Sequence, residues 1–466
     1  MIDLPEKLPA VLEAVRAIGR PRLVGGCVRD ALLGRPSGDI DIEVGEASFD
    51  SLLDVLAPFG STDVVGRSFG TIKLNLRGTN YDFSLPRRES KTGSGHRGFK
   101  IAPDPHLSDT AAASRRDFTI NAIAWDPFTQ RLIDPYNGQA DLRHKTLRHT
   151  SPAFVEDPLR VLRAMQLAAR LEFELAPETA ELCRTIVADY SDLPHERIWG
   201  EWEKWATKST KPSQGLKVLE QTGWIEHFPE IDALRGVEQE PEWHPEGDVY
   251  VHTSHCLDAL VEDSDWIDSD AERRQNLTFA VLAHDFGKPK TTERVEKHGR
   301  MRWTSPRHAV AGLEPTDRFL QRIGAPLRIA PIAKPLVQYH LAHHDSGKNE
   351  PSDPQIRRLA RKLAPASIKD LLAVMRADCC GRPPREDPET LTRIALIAEK
   401  AASLAVAAQA PPPLLQGRHL IDAQLSPGPV FSKILAEAYE AQINGDFEDI
   451  TGALDWLDCH LKNRPN

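Results

Sequence analysis

The stretch Leu23-Val24-Gly25-Gly26-Cys27-Val28-Arg29-Asp30-Ala31-Leu32-Leu33-Gly34, followed by Gly38-Asp39-Ile40-Asp41-Ile42, decides the reading of this 466-residue chain. A Gly-Gly turn opens a helix, and shortly afterwards two aspartates alternate with isoleucine. Alternation is the side-chain period of a strand, so Asp39 and Asp41 share one face while Ile40 and Ile42 share the other. Two neighbouring carboxylates repel each other, and a divalent cation between them relieves the repulsion. Glycines let backbone N–H groups approach a phosphate, and Arg29 adds positive charge. A lone Asp-x-Asp or Gly-Gly is commonplace. Together they read as a metal–triphosphate site, and oxygen ligands beside a triphosphate point to magnesium.

Further along, Arg115-Arg116-Asp117-Phe118-Thr119-Ile120-Asn121-Ala122 places Arg116 to neutralise a triphosphate and Asn121 to hydrogen-bond a sugar or the backbone. In Glu156-Asp157-Pro158-Leu159-Arg160-Val161-Leu162-Arg163, residues three apart lie on one helix face. Asp157, Arg160 and Arg163 then form one polar stripe whose acceptors and donors suit the edge of a base. Tyr81-Asp82-Phe83-Ser84-Leu85 alternates like a strand, so Asp82 is a candidate third carboxylate if its strand neighbours that of Asp41.

These motifs resemble the polymerase-β-like nucleotidyltransferases, and the Gly-Gly-x-Val-Arg-Asp-x-Leu-Leu-Gly form resembles the class II tRNA nucleotidyltransferase/poly(A) polymerase family. That family holds CCA-adding enzymes, bacterial poly(A) polymerases and enzymes that add only CC or only A. The resemblance implies catalytic, Mg2+-binding Asp39 and Asp41. It implies nucleotide-binding Gly25, Gly26, Arg29, Arg116 and Asn121. It also implies a protein template in which Asp157 and Arg160 select CTP or ATP, with Arg163 beside the nucleotide. The expected reaction is two-metal phosphoryl transfer from CTP and ATP to the 3′ end of tRNA.

A second constellation lies downstream: His252, then Ala283-His284-Asp285-Phe286-Gly287-Lys288, His308, His340 and Asp378. Imidazoles mixed with carboxylates suit a divalent transition metal better than magnesium. The pattern resembles the HD-domain metal phosphohydrolases. The resemblance implies ligands at His252, His284, Asp285 and Asp378, with His308 and His340 as further ligands or phosphate contacts, while His255 packs or faces solvent. Both constellations in one chain resemble the bacterial multifunctional CCA-adding proteins, which join nucleotidyl transfer to 2′,3′-cyclic phosphodiesterase, 2′-nucleotidase and phosphatase activities.

Composition bounds the rest. The net charge of −10 argues against indiscriminate RNA binding, and sparse aromatics (6%) with frequent Ala, Leu and Arg favour helix. Local clusters (Arg87, Arg88, Lys91, Arg97, Lys100; Arg143, Lys145, Arg148, Arg160, Arg163, Arg170) offer charge to a phosphate backbone or simply solvate loops and helix faces. Six scattered cysteines form no zinc or disulfide framework, and no long apolar run suggests a membrane span, so a reducing cytoplasm is expected. Met1 to Arg20 reads as an amphipathic helix. The glycine-rich, basic stretch from Arg87 to Phe99 reads as a mobile loop. An Ala-rich helix is expected to end near Ala410, with Pro411-Pro412-Pro413 as a linker. Leu415 to Ile421 and Ser426 to Pro429 resemble the tRNA-contacting tail of longer family members, with Arg418-His419 replacing the usual Lys/Arg-Asp.

The expected architecture is an α+β head (1–145) followed by an all-α neck (146–240), HD domain (241–385) and tail (386–466). Among products, the loop at Lys91 to Phe99 favours ATP addition over CC addition alone, and the acidic balance favours CCA addition over poly(A) synthesis. An A-adding enzyme has nearly the same motifs. A non-catalytic RNA-binding protein is the reading from another class, as is an HD hydrolase with a relic head. The oligomeric state is not legible.

Overall fold

The computed structural model describes residues 2, 4–36, 39–65, 70–91, 99–344 and 350–462. The chain divides into two compact units, Met1–His227 and Phe228–Asn466.

The first unit opens with α1 (Leu8–Arg16), β1 (Arg20–Val24), α2 (Gly26–Leu32), β2 (Ile40–Gly45) and α3 (Phe49–Leu56). The apolar stripe Leu8, Val11, Leu12 and Val15 buries α1, as the amphipathic reading expects. Then come β3 (Ser61–Val65), β4 (Thr71–Leu76), β5 (Thr79–Ser84), β6 (Arg87–Lys91) and β7 (Phe99–Pro103). α4 (Asp109–Ser114), β8 (Ala124–Asp126), β9 (Arg131–Ile133), α5 (Gly138–Arg143) and β10 (Thr146–Leu147) follow. Seven strands form one sheet in the order β3-β4-β5-β2-β1-β8-β9. Every pairing in it is antiparallel except β2 with β5, whose parallel register sets Asp41 beside Asp82. Ile42 and Val44 of β2 are fully buried, so the alternate residues Asp41 and Glu43 turn to the opposite face.

The helical part of this unit is α6 (Leu159–Leu171), the short strand β11 (Glu174–Leu175), α7 (Pro177–Arg184), α8 (His195–Lys208) and α9 (Pro212–Thr222). α6 is the hub, packing on α8 and α9. Ten of its thirteen residues are buried, so its polar side chains are few and committed.

The second unit begins with α10 (Pro229–Asp232), α11 (Val249–Glu262), α12 (Ser264–Ile267), α13 (Ala271–Ala283) and α14 (Lys288–Thr291). A hairpin of β12 (Glu293–Lys297) and β13 (Arg300–Thr304) precedes α15 (His308–Ala311), α16 (Leu313–Arg322) and α17 (Ala330–Tyr339). α18 (Asp353–Leu363), α19 (Ile368–Cys380), α20 (Pro388–Ser403), α21 (Gly417–Asp422), α22 (Pro429–Asn444) and α23 (Ile450–Lys462) complete it. The last three helices close on their own small core around Leu420, Ile434 and Leu457.

The structure corrects four expectations. The ends of the presumed loop Arg87 to Phe99 are paired strands, β6 with β7, and the glycine-rich residues 92–98 lie outside the described residues. The all-α region holds two strand pairs. β10 and β11 pair in parallel, and β12 and β13 form a hairpin whose turn residues His298 and Gly299 both have positive φ, the geometry of a tight two-residue turn. α20 ends at Ser403 because Ala405 turns left-handed (φ 56°) and Val406 N–H closes back on Ala401. Finally, the proline run is no free linker. Tyr439 Oη donates to Pro411 O and Gln442 Nε2 to Pro412 O, tying it to α22.

Candidate functional site

In the first unit, Gly25 caps α2 with φ 77°, a conformation that glycine alone adopts easily. A Cβ there would stand 3.2 Å from Arg116 Nη1 and 3.4 Å from Asp41 Oδ2, so the bare turn presses against both. Asp39 is exposed at the entrance to β2, Asp41 is half-buried, and Asp82 stands beside it on β5. Burial pushes the Asp41 carboxyl up, Arg116 draws it down, and Asp82 and Asp39 push it up again. An Asp41 carboxylate made harder to ionise by burial and by two neighbouring carboxylates fits a bound divalent cation.

Glu43, two residues along the same face, is a member that sequence reading missed. Arg115 Nη2 donates to its Oε2 at 2.7 Å and Arg116 Nη2 lies 3.8 Å from that oxygen. Glu43 thereby holds the arginine pair over the carboxylate face.

A chain of polar contacts runs beneath the turn. Arg163 Nε donates to Asp117 Oδ2 at 2.8 Å, and Asn121 Nδ2 to Asp117 Oδ1 at 2.9 Å. Arg29 Nη1 donates to Asn121 Oδ1 at 2.7 Å and its Nε to Asp30 Oδ1 at 2.8 Å. Arg170 Nη2 closes on Asp30 Oδ2 at 3.1 Å. Both ends of this chain, Arg163 and Arg170, belong to α6, so the network staples that helix across the turn. Burial pushes the Asp117 carboxyl up, but Arg163 and the Asn121 amide outweigh it and hold it at about 2. Arg29 and Asn121 are thus hydrogen-bonded within the protein and hold the turn from below.

The Asp157 stripe also departs from expectation. Asp157 is extended and precedes α6, with Pro158 as the cap, so only Arg160 and Arg163 ride the helix. Proline after it excludes the helical conformation at Asp157. Its carboxylate is clamped by Arg197 of α8, at 3.2 Å and 2.8 Å through two parallel bonds. Arg160 donates to Ala153 O and Arg115 O at 3.0 and 2.7 Å. Three of the cations proposed to attract RNA are already paired: Arg148 with Asp141 and Glu178, Arg163 with Asp117, and Arg170 with Asp30. The side chains of Arg88, Lys91 and Lys100, and the whole of Arg97, lie outside the described residues.

In the second unit, helix ends converge on one buried cluster. α11 brings His252, the end of α13 brings His284 and Asp285, α15 brings His308, the end of α17 brings His340, and α19 brings Asp378. All six are buried, while His255 is half-buried outside the cluster. His284, His308 and His340 each present Nδ1 to a backbone carbonyl three residues earlier, at 2.6, 2.8 and 2.6 Å. That contact fixes the tautomer and leaves Nε2 bare and pointing inward. Burial drives the His340 pKa to about 3 and lowers that of His308, so both rings are neutral and able to ligate at pH 7.

Two sets of donors meet on Asp285. His308 Nε2 lies 3.4 Å from its Oδ1 and 3.3 Å from His340 Nε2. His284 Nε2 lies 3.2 Å and His252 Nε2 3.8 Å from its Oδ2, and His252 Nε2 is 3.2 Å from Asp378 Oδ1. These are separations expected between ligands that share an ion at bonds of about 2.1 Å. His284 Nε2 and Asp285 Oδ1 are buried without a hydrogen-bond partner among the described residues, which also fits an ion. Cys256 is close but misdirected. Its Sγ lies 3.4 Å from His252 Nε2 and 3.8 Å from Nδ1, hence over the ring and off the lone-pair axis.

Sequence reading missed the surrounding shell. Glu246 Oε1 bridges His244 Nδ1 at 2.9 Å and His252 Nδ1 at 2.7 Å. Burial pushes the Glu246 carboxyl up, but those hydrogen bonds hold it at about 2. Arg382 Nη2 donates to Asp378 Oδ1 at 2.7 Å, and Lys288 Nζ lies 2.7 Å from Asp285 Oδ2. Gly287 is obligatory here, because a Cβ would stand 2.0 Å from His308 O.

Residues 21–148 match the family described as Poly A polymerase head domain, and residues 172–235 match the probable RNA and SrmB-binding site of polymerase A. A Multifunctional CCA protein of Xylella fastidiosa strain 9a5c is 38% identical over 83% of this chain and 90% of its own length. The chain belongs to the tRNA nucleotidyltransferase/poly(A) polymerase family. Another Multifunctional CCA protein, from Mannheimia succiniciproducens, is 36% identical over 77% of this chain and 84% of its own length. The Bacillus stearothermophilus CCA-adding enzyme in complex with CTP has the same fold, with a TM-score of 0.67 at 21% identity over 98% of this chain and 99% of that one. The Thermotoga maritima CCA-adding enzyme complexed with tRNA also shares it, with a TM-score of 0.60 at 18% identity over 99% and 97%. Among the described residues no helix is long and apolar enough to cross a membrane.

Proposed function

We propose that this chain adds CCA to the 3′ end of tRNA from CTP and ATP. The observation that carries the reading is Asp41 meeting Asp82, Arg116 and the Gly25 turn, in a unit where Arg197 clamps Asp157 and the Arg115 and Ala153 carbonyls hold Arg160. Asp39 and Asp41, with Asp82 adjacent, would hold divalent cations, magnesium by donor chemistry, which lower the pKa of the attacking 3′-hydroxyl and neutralise departing pyrophosphate. The residues do the rest. The Gly25-Gly26 turn lets the triphosphate lie against backbone, and Arg116 balances its charge. The α6 staple fixes the helix, and the clamped Asp157 and the Arg160 guanidinium present a set of acceptors and donors to the base edge. Asp41→Ala should abolish incorporation while leaving tRNA binding within about twofold. A wild-type protein that binds tRNA but never incorporates nucleotide would overturn the reading. Single addition of AMP to a CC end, or a long A tail, would redirect it to an A-adding enzyme or a poly(A) polymerase.

The second site reads as an HD-type phosphohydrolase acting on 2′,3′-cyclic or terminal phosphates. His252, His284, Asp285 and Asp378, with His308 and His340 completing the set, would hold a transition metal that makes a bound water acidic enough to attack at neutral pH. Lys288 and Arg382 place positive charge where a phosphate must sit. His284→Ala should remove this activity and spare CCA addition. The four-part division into head, neck, HD domain and tail goes with this assignment of roles. We read the compartment as a reducing cytoplasm from the scattered cysteines of the sequence.

A further inference from the structure

The Arg116 guanidinium faces two ways. Its Nη1 lies against the Gly25 turn, where a Cβ would stand 3.2 Å from it, and its Nη2 lies 3.8 Å from Glu43 Oε2. That same oxygen accepts from Arg115 Nη2 at 2.7 Å, so one carboxylate serves two guanidinium groups. All three side chains are largely withdrawn from water, Glu43 at 12% exposure and each arginine at 19%. Arg22, opposite Glu43 in the register of β1 with β2, is committed to Asp109, which leaves Glu43 to the arginine pair.

Burial disfavours the Arg116 cation, and Glu43 is the carboxylate that most offsets this, ahead of Asp41 and Asp117. A buried guanidinium stripped of its counter-charge is strongly destabilising. An anion therefore leaves Arg116 readily only if another anion is in place to balance it. Glu43 stands there already, fixed by Arg115. When nucleotides are added one after another at a single site, each addition leaves pyrophosphate at this arginine. The pyrophosphate must depart before the next nucleotide enters. A bare turn and a guanidinium attract product and substrate polyphosphates alike, so the site needs something that favours emptying.

We infer that Glu43 is a built-in competitor for Arg116 that weakens pyrophosphate binding and speeds its release between additions. The inference rests on the nucleotidyl-transfer reading of the first unit. Glu43 acts through the arginines: it positions Arg115 and rivals the product at Arg116.

The test is Glu43→Gln in the full-length protein. The amide oxygen still accepts from Arg115, and the negative charge is lost. Isothermal titration of magnesium pyrophosphate into protein without RNA should show binding about tenfold tighter than in wild type, for removal of one charge 3.8 Å from the guanidinium at a partly solvated site. The inhibition constant of pyrophosphate against CTP incorporation should fall by the same factor, and kcat should fall as release slows. A purely structural Glu43 predicts the opposite sign, because a loosened Arg116 would hold pyrophosphate more weakly. Pyrophosphate affinity that is unchanged or weaker in Glu43→Gln overturns the inference and leaves the nucleotidyl-transfer reading standing. Wild-type protein that binds neither pyrophosphate nor CTP overturns both.

Discussion

Replacing Asp117 with asparagine would test whether the staple beneath the nucleotide turn stabilises the first unit. Asp117 is 8% exposed, and its carboxylate accepts from Arg163, Asn121 and the Phe118 N–H. Asparagine keeps the shape but turns an N–H toward Arg163 Nε, donor against donor. The carboxyl falls from its ordinary 3.8 to about 2. At about 1.36 kcal/mol per unit, ionised Asp117 favours the folded state by about 2 kcal/mol. Because the folded pKa is depressed, this contribution is complete well above pH 3.8 and is lost as pH falls through about 2. The wild-type advantage should therefore be about 2 to 3 kcal/mol at pH 7, nearly the same at pH 5, and about half as large at pH 3. Hydrogen exchange read by mass spectrometry on the full chain resolves the units, since peptides from 117–125 and 159–171 should lose protection while those from the second unit stay unchanged. A pH 7 difference below about 0.5 kcal/mol, or one that persists undiminished at pH 3, would refute the reasoning.

Asp82→Asn should slow nucleotide incorporation about 100-fold or more with little change in tRNA binding, because several kcal/mol of charge stabilisation pass through such carboxylates; wild-type rates would reduce Asp82 to a bystander. Arg197→Ala releases Asp157 from two charge-assisted bonds and should raise KM for CTP and ATP about tenfold while leaving that for tRNA unchanged, as steady-state kinetics will show. Gly287→Ala drives a methyl group into His308 O and should strip metal from the second site, measured by elemental analysis, with CCA addition retained.

The chemistry was legible in the sequence wherever it is local. Period-two alternation set Asp41 opposite Ile42, and the His284-Asp285-Phe286-Gly287-Lys288 run marked the second site. What escaped depends on pairing across long separations. Asp82 was named on the condition that its strand neighbours that of Asp41, and it is the parallel register of β2 with β5, which no local pattern encodes, that meets the condition. Arg197 reaches Asp157 across 40 residues, and Arg163 reaches Asp117 across 46. Other misses were avoidable. His298-Gly299 between alternating strands was a readable hairpin, and His244 and Glu246 just ahead of His252 were further donors within reach of the cluster.

The central claim is sequential, self-terminating CCA addition. The most direct measurement supplies labelled CTP and ATP, separately and together, to tRNA lacking its 3′ end and to tRNA ending in CC. The account predicts two C additions, then one A, then a stop, and a single A on the CC end. Failure to incorporate CTP, continued A addition, or no incorporation at all would contradict it.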